Sequence, residues 1–154
     1  MKFLFIFLTL IFSVSEASAV CVISSTANLR SGPGPNHPIS WVVPKYMPLI
    51  EVKRVGNWYL VEDLDGEQHY VYKSNVSASS KLKCVAVKVP TAKLRKGPGE
   101  SSELADIRQV DRYTPFKRVD AVEAWYEVIS SWGESYWIHE SNVWRPVVTK
   151  KVQF

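Results

Sequence analysis

The chain has 154 residues, with 19 Lys and Arg against 15 Asp and Glu, a formal net charge of +4, two Cys and three His. The basic residues are scattered apart from Lys81/Lys83 and Lys150-Lys151, so the charge reads as a soluble surface with a mild positive bias and not as the basic stripe of a nucleic-acid binder. His37, His69 and His139 lie far apart, and no H-E-x-x-H or C-x-x-C spacing occurs, so neither a metal nor another cofactor is expected.

The first element is a targeting segment. Lys2 precedes an apolar run over residues 3–14, broken only by Thr9 and Ser13, and Ser15-Glu16-Ala17-Ser18-Ala19 comes next. A basic start, a short apolar stretch and a small A-x-A end predict a secretory signal peptide, residues 1–19, cleaved after Ala19. The run is too short for a comfortable bilayer span. The residues before Cys21 are Ser18-Ala19-Val20, which lack the aliphatic and small positions of a lipobox. The expected product is exported, periplasmic or extracellular, with no integral membrane segment after signal cleavage. In that setting two cysteines, Cys21 and Cys84, read as a disulfide, the alternative being two buried thiols.

Beyond Cys21 the chain carries one pattern twice. Residues 27–34 read ANLRSGPG and residues 92–99 read AKLRKGPG; Trp58-Tyr59 is answered by Trp125-Tyr126, and Ser74-Asn75-Val76 by Ser141-Asn142-Val143. Early landmarks (Ala27/Ala92, Arg30/Arg95) are 65 apart and later ones (Tyr46/Tyr113, Trp58/Trp125, Gly66/Gly133) are 67 apart. Two extra residues therefore fall between Gly99 and Tyr113, where a long loop is expected. The repeat divides the chain into a first unit, residues 20–80, a second, residues 81–148, and a tail, 149–154. Domains of about 60 residues bury only about 60% of their unfolded surface and are marginal alone. The short linker 77–83 makes contact between them expected.

Helical periodicity is almost absent, and strand signals recur. Strands are predicted over 39–43, 49–55, 58–62 and 69–72, and again over 116–119, 125–129 and 136–138. Turn residues separate them at 32–34, 44–45, 56–57 and 65–66, then at 120–124 and 132–133. Gly32-Pro33-Gly34 and Gly97-Pro98-Gly99 predict type II turns, since Pro removes an N–H that a phosphate cradle needs. The fold class is all-β, with two small tandem barrels.

The signature NLRSGPG, the proline-led strand Pro48-Leu49-Ile50, the Trp of NWYLV and an aromatic-Val pair before SNV resemble the bacterial Src-homology-3 domain, twice over. The family's Gly-Trp-Val near its end stands here as His69-Tyr70-Val71 and Tyr136-Trp137-Ile138. The resemblance implies five- or six-stranded SH3-like barrels that act as targeting modules on envelope or wall-active proteins.

Recurring residues are assigned to the shared fold: Trp58 and Trp125 as core, the other reading being the floor of a groove, and Arg30 and Arg95 as stems packed on an aromatic, the other reading being a guanidinium offered to ligand carboxylates. Candidate ligand contacts are Trp41, Tyr46 and Tyr72 in the first unit and Tyr113, Trp132 and His139 in the second. Trp41 aligns near Asp106 or Ile107, and Trp132 stands where the first unit has Asp65. No G-x-S-x-G occurs, and the carboxylates Asp65, Glu67 and Glu134 fall in turns, so no catalysis is expected. The expected function is an exported, non-catalytic binding module for the cell wall, with peptidoglycan as target. The alternatives are an envelope protein–protein adaptor and a structural or regulatory subunit. The partner is accordingly a cell-wall component or an envelope protein, and not nucleic acid.

Overall fold

The computed structural model describes residues 18–146; most of the expected signal peptide (residues 1–17 of 1–19) and the expected tail, 149–154, lie outside the described residues. The first unit is built from β1 (Ser18–Val22), β2 (Thr26–Arg30), β3 (Ile39–Pro44), β4 (Pro48–Val55), β5 (Trp58–Glu62), β6 (Gln68–Tyr72) and β7 (Val76–Ala78). A single helical turn, α1 (Ser79–Leu82), leads to the second unit. That unit comprises β8 (Cys84–Val87), β9 (Thr91–Arg95), β10 (Leu104–Asp111), β11 (Pro115–Val122), β12 (Trp125–Ser130), β13 (Ser135–His139) and β14 (Val143–Trp144). The first sheet has the order β3-β2-β6-β5-β4-β1-β7 and the second β10-β9-β13-β12-β11-β8-β14. The second order is the first advanced by seven strands, so the repeat in sequence is a repeat in topology. The protein is all-β, with two tandem small antiparallel barrels of seven strands each where the resemblance implied five or six. Two of these strands, β7 and β14, are the short ones that close each unit onto β1 and β8.

Alternation decides which side chains enter the barrels. In β2 Ala27 and Leu29 point inward while Thr26 and Asn28 face out, and β9 repeats this with Ala92 and Leu94, as the two-residue period of a strand requires. The first core gathers Val22, Leu29, Val43, Leu49, Val61 and Val71; the second gathers Val87, Leu94, Phe116, Val128 and Ile138. Backbone corners also repeat. Tyr46 and Tyr113 adopt φ of 72° and 70°, a left-handed conformation uncommon for such bulky residues. Their N–H groups bond to the Val22 carbonyl (2.8 Å) and the Val87 carbonyl (2.9 Å). Gly66 and Gly133 occupy φ of 80° and 93° at the β5–β6 and β12–β13 turns, where a glycine is required.

Two expectations are corrected. The two extra residues are not in a long loop. Asn28 and Arg30 pair with Val42 and Ile39, whereas Lys93 and Arg95 pair with Gln109 and Leu104. The partner strand advances three residues in the first unit and five in the second, so the insertion is a bulge inside β10. Of the two predicted type II turns, only the second has the left-handed glycine, Gly99 at φ 112°. In the first, a Cβ on Gly32 would lie 2.4 Å from the His37 ring, so close approach explains that glycine.

The linker is ordered: Ser77 and Ala78 belong to β7, which pairs with β1, and Lys83 caps α1 in a left-handed conformation. A signal cut after Ala19 would fall inside β1, leaving Val20, Cys21 and Val22 to hold its pairings with β4 and β7. Cys21 and Cys84 form the disulfide, both fully buried, joining β1 to β8. Ala86 of β8 packs into the first unit's core, with Tyr113 against its edge. Among the described residues no helix is long and apolar enough to cross a membrane.

Candidate functional site

The alternation that sends Ala27 and Leu29 inward leaves Thr26, Asn28 and Arg30 in a row on the outer face of β2. Trp58 at the start of β5 and Tyr72 at the end of β6 are cross-strand partners, and their rings meet edge to face at 5.4 Å. Asn75, from the 3-10 turn after β6, and Pro35, from the loop after β2, complete the walls. Together these residues line an open groove of about 460 Å³. Its floor is aromatic, its rim carries two side-chain amides, and its one charge is Arg30. The Arg30 Nη1 donates to the His37 carbonyl at 2.8 Å, which fixes the guanidinium at the groove wall.

The second unit fills the corresponding place differently. Arg95 Nη1 donates to the Ser102 carbonyl at 2.8 Å, the counterpart of the Arg30 bond, and Nη2 donates to Glu100 at 2.8 Å. The Arg95 guanidinium lies 5.8 Å from the Trp125 ring centre, and His139 packs edge-on to the same ring at 5.1 Å. Trp125 is only 9% exposed, whereas Trp58 is half-buried and faces the groove.

The six candidate contact residues separate into different settings. Tyr72, 36% exposed, lines the first groove. Trp41 and Tyr113 pack on each other between the units, edge to face at 5.3 Å. The Tyr113 hydroxyl donates to the Asp65 carboxylate, and Arg112 donates to it at 2.6 Å. Tyr46, at the corner equivalent to Tyr113, is partly covered by the Lys45 ammonium at 5.2 Å. Trp132, 45% exposed, donates from Nε1 to the Tyr136 hydroxyl at 3.1 Å and covers Phe116. His139, besides meeting Trp125, bonds the Ser141 hydroxyl at 2.7 Å. The groove residues Thr26, Asn28 and Asn75 were not among the candidates, although the strand alternation of β2 carried a signal for the first two.

The Tyr113 hydrogen bond, then the Arg112 one, hold the Asp65 carboxyl below the ordinary carboxylate range. A depressed pKa means the attraction is complete above the unfolded value, about 3.9, and is lost as pH falls through the folded one. Acidification below about pH 4 should therefore loosen the contact between units and flatten the near-ultraviolet dichroism of the Trp41–Tyr113 pair. Asp65→Asn should show the flattened spectrum already at neutral pH; an unchanged spectrum would remove Asp65 from the interface.

A second constellation escaped the sequence. His69 Nε2 lies 3.2 Å from Asp63 Oδ2 and its Nδ1 lies 2.8 Å from the Ser40 hydroxyl. The chain order Ser, Asp, His and the distances resemble a hydrolase relay. Asp63 Oδ1, however, accepts the Asp65 and Glu67 N–H groups at 2.9 and 3.0 Å, which shapes the β5–β6 turn. The second unit builds the same turn with Ser130 in place of Asp63 and Tyr136 in place of His69. There Tyr136 donates to Glu134 at 2.5 Å, and the Ser130 hydroxyl accepts the Glu134 N–H at 3.1 Å. Position for position, both sets pin a hairpin. Burial, followed by the Glu134 bond, pushes the Tyr136 phenol up. Asp63, Glu67 and His69 also bring three possible ligand atoms within 4.8 Å of one another, but both His69 nitrogens and both Asp63 oxygens are already bonded. None of the three lines the groove.

Residues 24–78 match the bacterial SH3 domain family, a stretch that contains every residue of the groove. No curated protein matches the chain. Among solved structures the chain is similar to NlpC1 from Trichomonas vaginalis, at 11% identity and a TM-score of 0.38, over 88% of this chain and 48% of that one. It is similar to an NlpC/P60 family protein from Bacillus cereus at 16% identity and a TM-score of 0.40, over 83% and 57%. A third is NlpC2 from T. vaginalis, at 12% identity and a TM-score of 0.36, over 87% and 50%. The chain thus spans about half the length of these structures.

Proposed function

We propose that the protein is an exported, non-catalytic binding module of the cell wall, which takes a peptidoglycan component into the groove of its first unit. The observation that carries this reading is the groove itself: an aromatic floor of Trp58 and Tyr72, flanked by Asn28, Asn75 and Arg30. Flat rings with an apolar face, next to a few orienting polar groups, suit sugar faces and peptide backbones. The bacterial SH3 match over the same residues and the buried disulfide, a bond of oxidising compartments, support the wall and the export. The relay of Ser40, His69 and Asp63 is read as a hairpin anchor because the second unit meets the same need with other residues.

The test is co-sedimentation of the purified, oxidised protein with isolated peptidoglycan. The protein should pellet at low salt, and Trp58→Ala should weaken binding by about tenfold or more, while Trp132→Ala, remote from the groove, should not. Protein that stays in the supernatant at low salt would sink the wall ligand. One observation favours a second reading, an envelope adaptor: β3 is the edge of its sheet and exposes Ile39 and Val42, a geometry that can accept an added strand. An adaptor would lose its partner on Val42→Lys and keep it on Trp58→Ala.

A further inference from the structure

The duplication supplies its own comparison, because one guanidinium position has two surroundings. Arg30 and Arg95 end equivalent strands with the same burial pattern. Both give Nη1 to the carbonyl seven residues ahead, at 2.8 Å in each case. With that bond made, Arg95 holds out Nη2, and a carboxylate of its own chain, Glu100, occupies it. The residue at the Glu100 position of the first unit is Pro35, which brings no charge. Among the described residues no carboxylate pairs with Arg30. Arg30 is also the one charged residue lining its groove, so that groove presents a positive charge with no counter-charge.

We infer that the first groove is a receptor for the free carboxylate end of a peptide, held by Arg30 beside the Trp58–Tyr72 floor, and that Glu100 stands in for that carboxylate in the second unit. This rests on the proposed wall-binding function and gives it a ligand chemistry. A guanidinium with one nitrogen already fixed is aimed rather than free, so less order is lost when a carboxylate docks. The peptide follows from the rest of the lining. Asn28 and Asn75 each offer an amide donor and acceptor, which match a backbone C=O and N–H. The Trp58 and Tyr72 rings offer an apolar face to small side chains. The second unit, with Glu100 in place and Trp125 closed over by Arg95 and His139, is a copy that holds its own ligand group.

The test uses the intact oxidised protein and two probes, N-acetyl-alanyl-alanine and its C-terminal amide, with the indole N–H resonance of Trp58 as readout. The acid should move this signal, and the amide should bind at least about tenfold more weakly, the loss of one charge-assisted pair. Glucuronate, which carries a carboxylate on a sugar, should bind more weakly than the acid peptide. Arg30→Gln should abolish the preference for the acid, and Arg30→Lys should keep part of it. Glu100→Ala should make the Trp125 indole respond to the acid peptide at concentrations where the unmutated protein shows no response there. Equal binding of acid and amide by the unmutated protein overturns the inference without depending on any variant. Glucuronate binding more tightly than the peptide overturns the peptide assignment. The peptidoglycan assay separates the two readings. Pelleting that needs Trp58 but ignores Arg30 sinks the carboxylate receptor and leaves the wall module standing. A clear acid preference without pelleting sinks the wall ligand and leaves the receptor.

Discussion

Phe116→Ala should destabilise the second unit by about 3–5 kcal/mol, the range for truncating a buried aromatic. Phe116 is fully buried and meets the rings of Trp132 and Tyr136 edge to face at 6.2 and 6.5 Å. Its removal leaves a cavity under both. A unit of about 60 residues has a total stability of a few kcal/mol, so the loss is comparable to the whole. In thermal unfolding the transition followed by Trp132 fluorescence should fall by about 15 °C or more. Leu49, the residue at this position in the first unit and equally buried, should behave alike on Leu49→Ala, at about 2–5 kcal/mol. A loss under about 1 kcal/mol at Phe116 would contradict the packing described for that core.

Removing the disulfide should be of similar size. Cys21 and Cys84 are 63 residues apart in sequence, and closing such a loop is worth about 4 kcal/mol in the chain-entropy model, with about 2–5 kcal/mol measured for native bridges. Position adds to length. The bond joins β1, the strand held between β4 and β7, to β8, which starts the second sheet. Two units too small to be comfortable alone are thereby kept in contact at Ala86, Tyr113 and Asp65. Cys21→Ala with Cys84→Ala should lower the melting temperature and split one transition into two, because each unit then melts without its tether. Reduction of the unmutated protein should reproduce the split, slowly, since both sulfurs are buried. A single unshifted transition in the double variant would show that the bond carries no stability.

Much of this molecule is legible along the chain because a strand writes its burial locally. The in-and-out alternation of residues 26–30 and 91–95 is visible in the inward Ala and Leu of each against the outward Asn28 and Lys93, and β5 runs from Trp58 to Glu62 as expected. Where strands were missed, the local signal was weak or misleading. β10 lies in the stretch expected to be a loop, since its bulge breaks the two-residue period between Leu104 and Gln109. β1 and β8 are short and largely buried, so they show no alternation to read. The contrast of Pro35 with Glu100 was present in the repeat, at the same spacing of 65 as Arg30 and Arg95, but has meaning only beside Arg95 Nη2.

By itself, the sequence determined the duplication, the all-β class, the parity of the two cysteines and the inward faces of most strands, because each depends on residues close together or on a pattern repeated. Only the tertiary structure decided which rings were exposed to a ligand and which to each other. Trp41 and Tyr113, 72 positions apart in numbering, look as available as Tyr72 until the two barrels are set side by side. Ser40, Asp63 and His69 look unrelated until a hairpin folds over an edge strand. Such contacts depend on where whole sheets come to rest, through burial that sums over many residues, and no short stretch of chain records that sum.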